Sequence, residues 1–172
     1  MPETKGKIQR LLVVVDESSA TKRALEYVGN LVGGRRGFGI VLLQLLQPMP
    51  PELLEFGGAE RPKKEEKLGA ELRRDQQTWI DSARNSAESN LDSAAEHLRR
   101  AGVFRRDIET SLSDPMMGRD AADTVLEHAR TKRCHTVVIG HGAHSWFREL
   151  AGGDLAEHLI RQGKGVAMWV VQ

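Results

Sequence analysis

At 172 residues the chain has the length of one domain and needs neither disulfides nor metal to bury a core. Its 25 Lys and Arg balance 24 Asp and Glu to a formal charge of +1, so bulk charge predicts neither nucleic-acid nor membrane-surface binding. Hydrophobic content of 40% with 28% charged residues excludes a disordered polymer, and no apolar run approaches the roughly 18 residues of a membrane span. The one cysteine, Cys134, leaves no internal disulfide and no multi-thiolate metal site, as expected for a thiol kept in a reducing cytoplasm. The first strand starts soon after Met1 with no small-residue cleavage site before it, so no secretory leader is expected.

Leu11 to Val15 is an unbroken apolar run stopped by Asp16-Glu17-Ser18-Ser19, the pattern of a parallel strand covered on both faces. Ala24, Leu25, Val28, Leu31 and Val32 then recur at helical spacing, with Ser18 or Ser19 as N-cap and Gly33-Gly34 as the stop. Ile40 to Leu46 is a second buried strand, interrupted only by Gln44. Pro48, Pro50 and Pro51 end it, and residues 52–70, with Gly57-Gly58, Pro62 and a charge run, read as a solvated excursion. From Leu72 to Leu98 a narrow, Ala-rich stripe predicts one long helix ending at Gly102. Ile108 to Leu112 alternates and is short, which predicts an edge strand. A helix over Ala121–Ala129, a strand over Thr136–Ile139, a short helix near Asp154–Arg161 and a last strand over Val166–Val171 complete the chain. The alternation predicts a single α/β domain over 1–172, a three-layer sandwich with a mostly parallel five-stranded sheet and an inserted excursion at about 50–70.

In such a sheet ligands bind beyond the carboxyl ends of the strands, which selects Asp16–Ser19 and the glycine-rich stretch from Gly140 to Asp154. At these residues the sequence resembles the universal stress proteins. Val13-Val14-Val15-Asp16-Glu17-Ser18 before a helix, Leu43-Gln44-Leu45, Ile139-Gly140 with its long glycine loop, and the closing Gly-Val-Ala-Met-Trp-Val-Val carry the resemblance over nearly the whole chain. It implies strand order 3-2-1-4-5, the adenine nucleotide alpha hydrolase-like arrangement, and a cytoplasmic, bacterial regulatory or stress-response protein. It also implies a homodimer joined through the last strand, with Val166, Ala167, Met168, Trp169, Val170 and Val171 at the contact; an apolar edge strand without charge or proline invites that pairing.

Some members bind ATP through Gly-x-x-Gly, nine residues, then Gly-Ser/Thr. Here the spacing is kept while Ala143 and Asp154 replace the second glycine and the Ser/Thr; Gly140 and Gly153 match the other two glycines, and Asp16 matches an acidic residue at the nucleoside end. The nucleotide-binding candidates are therefore Val14, Asp16, Leu45, Ile139, Gly140, Gly142, Ala143, Gly153, Asp154 and Leu155. An aspartate at a helix start fills the anion site as its own N-cap and repels phosphate, so the expectation is a degenerate site without tight ATP binding. The alternative is a switch that binds ATP with Mg²⁺, the metal bridging Asp154 to the phosphates. For Asp16, capping of the next helix stands beside nucleoside contact.

Other chemistries find less in the sequence. His141 and His144 lack further ligands for a metal and read as surface residues. Neither a Gly-x-Ser-x-Gly elbow nor a Walker pattern is present, and no cluster supplies nucleophile, base and oxyanion site together. A phosphoacceptor receiver reading lacks a lysine in the last strand.

Overall fold

The computed structural model describes residues 8–54, 62–115, 120–141 and 154–172, the side chains of 62–65 excepted. Five strands form one sheet: β1 (Gln9–Val15), β2 (Phe38–Leu46), β3 (Ile108–Pro115), β4 (Thr136–Gly140) and β5 (Ala167–Val171), in the order β3-β2-β1-β4-β5. Every described pairing is parallel, with β1 flanked by β2 through Gln9–Phe38 to Val15–Gln44 and by β4 through Leu11–Thr136 to Val13–Val138. Among the described residues five α-helices accompany them: α1 (Ser19–Val32), α2 (Pro51–Leu54), α3 (Pro62–Arg100), α4 (Ala121–Thr131) and α5 (Leu155–Gln162).

The uniform apolar runs of β1 and β2 are explained by two cores, because alternate residues serve opposite faces of a covered sheet. Leu12, Val14, Val41, Leu43 and Leu45 pack with Val137 and Ile139 under α4 and α5. Leu11, Val13, Val15, Ile40 and Leu42 pack with Val138 under α1 and α3. Gln44, the polar residue inside β2, accepts a hydrogen bond from the side-chain amide of Asn90 on α3 at 2.9 Å, so its place in the sheet is satisfied.

Several boundaries differ from the sequence reading. The long helix starts at Pro62 rather than Leu72, so the charge run expected in a solvated excursion is helical. Apolar periodicity misses such a turn because its residues, Lys63 to Lys67, are charged good helix formers that give no apolar period, opened by proline at its first position. Residues 51–54 add a helical turn whose Leu53 carbonyl accepts from the Gln76 side chain at 2.6 Å, tying that segment to α3; residues 55–61 of the excursion lie outside the described residues. β3 continues to Pro115 through a register shift opposite Gln44/Leu46, where the buried Ser113 hydroxyl accepts from the Leu46 amide at 2.9 Å. Finally, Val166 precedes β5 rather than opening it, although it packs against the α4/α5 core.

At 39 residues α3 is about 58 Å long, far longer than the strands it crosses. Its buried hydrophobic residues, Ala87, Leu91, Ala94 and Leu98, fall in its second half, which is the part that covers the sheet.

Candidate functional site

β1 and β4 are neighbours while their outer partners diverge in sequence order, so the switch point lies beyond Val15 and Gly140. Just past β1, one oxygen of Asp16, Oδ1, accepts from the Ser18 amide at 2.9 Å, from the Ser18 hydroxyl, and from the Thr21 hydroxyl at 2.5 Å. Ser18 in turn caps α1, accepting from the Thr21 amide at 3.2 Å, and the Thr21 hydroxyl takes the Asp16 amide at 3.1 Å. Short polar side chains at the start of a helix compete well for backbone donors, which is why this run forms a closed turn. Asp16 therefore organises the β1–α1 turn with Oδ1; among the described residues no partner is recorded for Oδ2.

Gly140 ends β4 for a packing reason. A Cβ built on it would lie 2.4 Å from both the backbone carbon and the oxygen of Ala20, so glycine alone lets the first turn of α1 lie against β4.

The residue after it, His141, joins four elements. Its amide donates to the Val171 carbonyl of β5 at 2.7 Å, and its own carbonyl accepts from Arg23 Nη2 of α1 at 3.1 Å. Its ring nitrogen Nε2 meets Asp154 Oδ2 at 2.8 Å, and both side chains are partly exposed, at 44% and 37%. The other Asp154 oxygen, Oδ1, accepts from the Ala156 amide at 3.0 Å as the N-cap of α5. Both oxygens of Asp154 are thus engaged, one by a helix amide that a bound phosphate would use and one by a histidine. A turn further along α5, His158 Nδ1 stands 3.7 Å from Asp120 Oδ2, the carboxylate that caps α4 through the Ala122 amide.

The structure brings Asp16, Gly140 and Asp154 to the same end of the sheet. Val14, Leu45, Ile139 and Leu155 are buried together in the α4/α5 core, immediately inside that end. Gly142, Ala143 and Gly153, with His144, Trp146 and Phe147, lie outside the described residues. The sequence reading missed the roles of His141, expected as a surface residue, and of Arg23. Neither belongs to a motif; the one available signal was that an aspartate N-cap has a second oxygen to satisfy. Among the described residues no group of three or more His, Cys, Asp or Glu is placed to hold a metal ion, and no helix is long and apolar enough to cross a membrane.

At the opposite end of the sheet, Glu109 of β3 binds Lys132 Nζ at 2.5 Å and Arg10 Nη2 at 2.6 Å. The hydrogen bond from Lys132, with help from Arg10, holds its carboxyl below the usual carboxylate range against the opposing effect of burial. Burial pushes the Cys134 thiol up, which leaves it a poor nucleophile.

Solved structures of similar fold align with nearly all of the chain, among them the following three. A universal stress family protein from Burkholderia pseudomallei matches at 18% identity and TM-score 0.62, over 95% of this chain and 96% of that one. A universal stress protein in complex with cAMP matches at 16% and 0.57, over 95% and 96%. One from Archaeoglobus fulgidus in complex with dAMP matches at 15% and 0.53, over 95% and 98%. No curated protein is similar enough in sequence to count as a match. At these identities the structures speak to the fold, and they share it. The model of the universal stress protein family matches residues 7–171, and with the sheet order and switch-point turn described above, the chain belongs to the universal stress protein family.

Proposed function

We propose that this universal stress protein is a dimeric regulatory protein that acts by binding rather than turnover, and that its nucleotide site does not hold a triphosphate tightly. The observation that carries the reading is Asp154, which caps α5 with one oxygen and pairs with His141 through the other. The helix end that would receive a phosphate tail already has its anion, and an incoming phosphate meets a like charge. Asp16 and the apolar residues inside it leave the nucleoside end without such an obstacle. That neighbours of this fold are described with cAMP and dAMP, nucleotides carrying one phosphate, agrees with a small ligand. A magnesium ion joining Asp154 to phosphates would reverse the sign, and gives the second reading, an ATP and Mg²⁺ switch.

The dimer reading rests on β5. The Ala167 amide and Val171 carbonyl point to β4, so alternation turns the backbone groups of Met168 and Val170 to the free edge. That edge carries no charge and no proline from Val166 to Val171. Antiparallel pairing of two copies there would satisfy it. The single 1–172 domain is part of the same reading.

Calorimetric titration of the full chain with AMP, cAMP, ATP and ATP with Mg²⁺ tests the function. The expected result is measurable heat for a monophosphate and none for ATP at equal concentration. Tight binding of ATP alone would refute the reading, and tight binding only with Mg²⁺ would establish the second one.

A further inference from the structure

The end of the sheet opposite the candidate site, where strands begin and helices finish, carries an arginine rim. The loop after α1 presents Arg35 and Arg36, both exposed. α3 ends on Arg99 and Arg100, and the 3-10 turn Arg105–Asp107 that follows adds Arg105 and Arg106. The two loops touch. The Gly34 amide donates to the Gly102 carbonyl at 2.9 Å, and a Cβ on Gly33 would lie 2.0 Å from the Ala101 oxygen. Residues 33–37 and 96–107 together hold six arginines and no lysine against Glu96 and Asp107, in a chain whose net charge is only +1. The balance read from composition therefore averages over a basic pole and a net acidic remainder.

Glu96 binds Arg99 at 2.6 Å and Arg100 at 3.2 Å, and Asp107 lies 4.0 Å from Arg106. Among the described residues Arg35, Arg36 and Arg105 have no acidic partner. Phe104, which precedes Arg105 in the chain, is 41% exposed, with the Arg106 guanidinium 5.1 Å from its ring centre. A second feature is independent of this corner. Arg133, which follows α4, has φ +53, the left-handed conformation that usually falls to glycine at a helix end. Its neighbour Lys132 reaches Glu109 on β3, just beyond Asp107, so the rim continues to Arg133. A cation is kept there on backbone that disfavours any side chain.

We propose that this rim binds a single-stranded polynucleotide, with phosphates on Arg35, Arg36, Arg105 and Arg133 and a base stacked on Phe104. Planar guanidinium forks match phosphate oxygens two at a time, and an exposed ring beside them takes the face of any base. A lipid surface fits less well, because among the described residues no helix with an exposed apolar face accompanies the two loops.

Fluorescence anisotropy of the full chain with labelled oligo(U) and oligo(dT) of about fifteen nucleotides, across a salt series, tests this. Four phosphate contacts give a log–log salt slope of about −3. Arg35→Glu with Arg36→Glu should weaken binding about tenfold or more and flatten the slope, while Phe104→Ala should weaken it about fivefold at unchanged slope. Arg133→Gly should bind more weakly while melting no lower than the parent, which separates lost charge from lost fold. Absence of binding at about 50 mM salt, binding indifferent to the Arg35/Arg36 substitutions, or binding to anionic phospholipid vesicles but to neither oligonucleotide, would each overturn the proposal.

Discussion

Replacing Asp154 by serine isolates the electrostatic part of the argument. Serine is as good an N-cap as aspartate, so the Ala156 amide keeps an acceptor and α5 keeps its start. What disappears is one negative charge and the partner of His141, a half-exposed pair worth about 0.5 kcal/mol. Stability should therefore change by less than about 1 kcal/mol, or about 3 °C in melting temperature. Two unit charges about 4 Å apart interact by about 1 kcal/mol in water and about 4 kcal/mol at an effective dielectric near 20. Asp154 is 37% exposed and sits between those limits, so about 2 kcal/mol of repulsion is removed. That corresponds to roughly thirtyfold tighter binding of ATP in low salt, shrinking as salt is added. Calorimetry on parent and variant at matched ionic strength reads the ratio. A variant that melts like the parent yet binds ATP within twofold of it would show that Asp154 does not block the site.

Further expectations follow from individual contacts. Gly140→Ala forces a methyl into the backbone of Ala20 and should cost about 2–3 kcal/mol, lowering the melting temperature by about 5–10 °C in a thermal scan; an unchanged melt would mean that α1 does not lie against β4 as described. Val170→Pro removes an outward-facing amide on β5, which an edge strand tolerates, so light scattering should find a folded monomer where the parent is a dimer. A parent that is already monomeric would refute the dimer reading. Glu109 has a folded-state pKa below its unfolded one, so its stabilisation is present above about pH 4.5 and is lost as pH falls through the folded value. Glu109→Gln should cost about 1 kcal/mol or less at pH 7 and flatten the acid limb below about pH 4.5, as chemical denaturation at each pH would show.

Much of this fold can be read from the chain because β1 and β2 are buried on both faces. Such strands appear as unbroken runs, and the helices between them keep a clear period and ordinary caps at Ser18 and Asp154. The first turns of α3, before Leu72, lacked that signal, since the buried hydrophobic residues of the helix start only at Ala87. Sequence also identified Asp154 as the odd residue in the glycine pattern and gave the physical reason, N-capping. It gave no hint of His141, because that contact depends on β4 and α5 converging in space. Gly140 was legible as a required glycine, and the structure adds a packing cause: the backbone of Ala20 occupies the space a side chain would need. The arginine rim was hidden because its residues come from loops far apart in the chain, and composition sums them with the acids of the rest of the chain.

The central claim concerns one amide. Capped by Asp154, the Ala156 N–H is not free to meet a phosphate, so its resonance in a nitrogen–proton correlation spectrum should stay in place as ATP with Mg²⁺ is added to the unmodified chain. A saturable shift of that resonance, with heat of binding to match, would contradict the account.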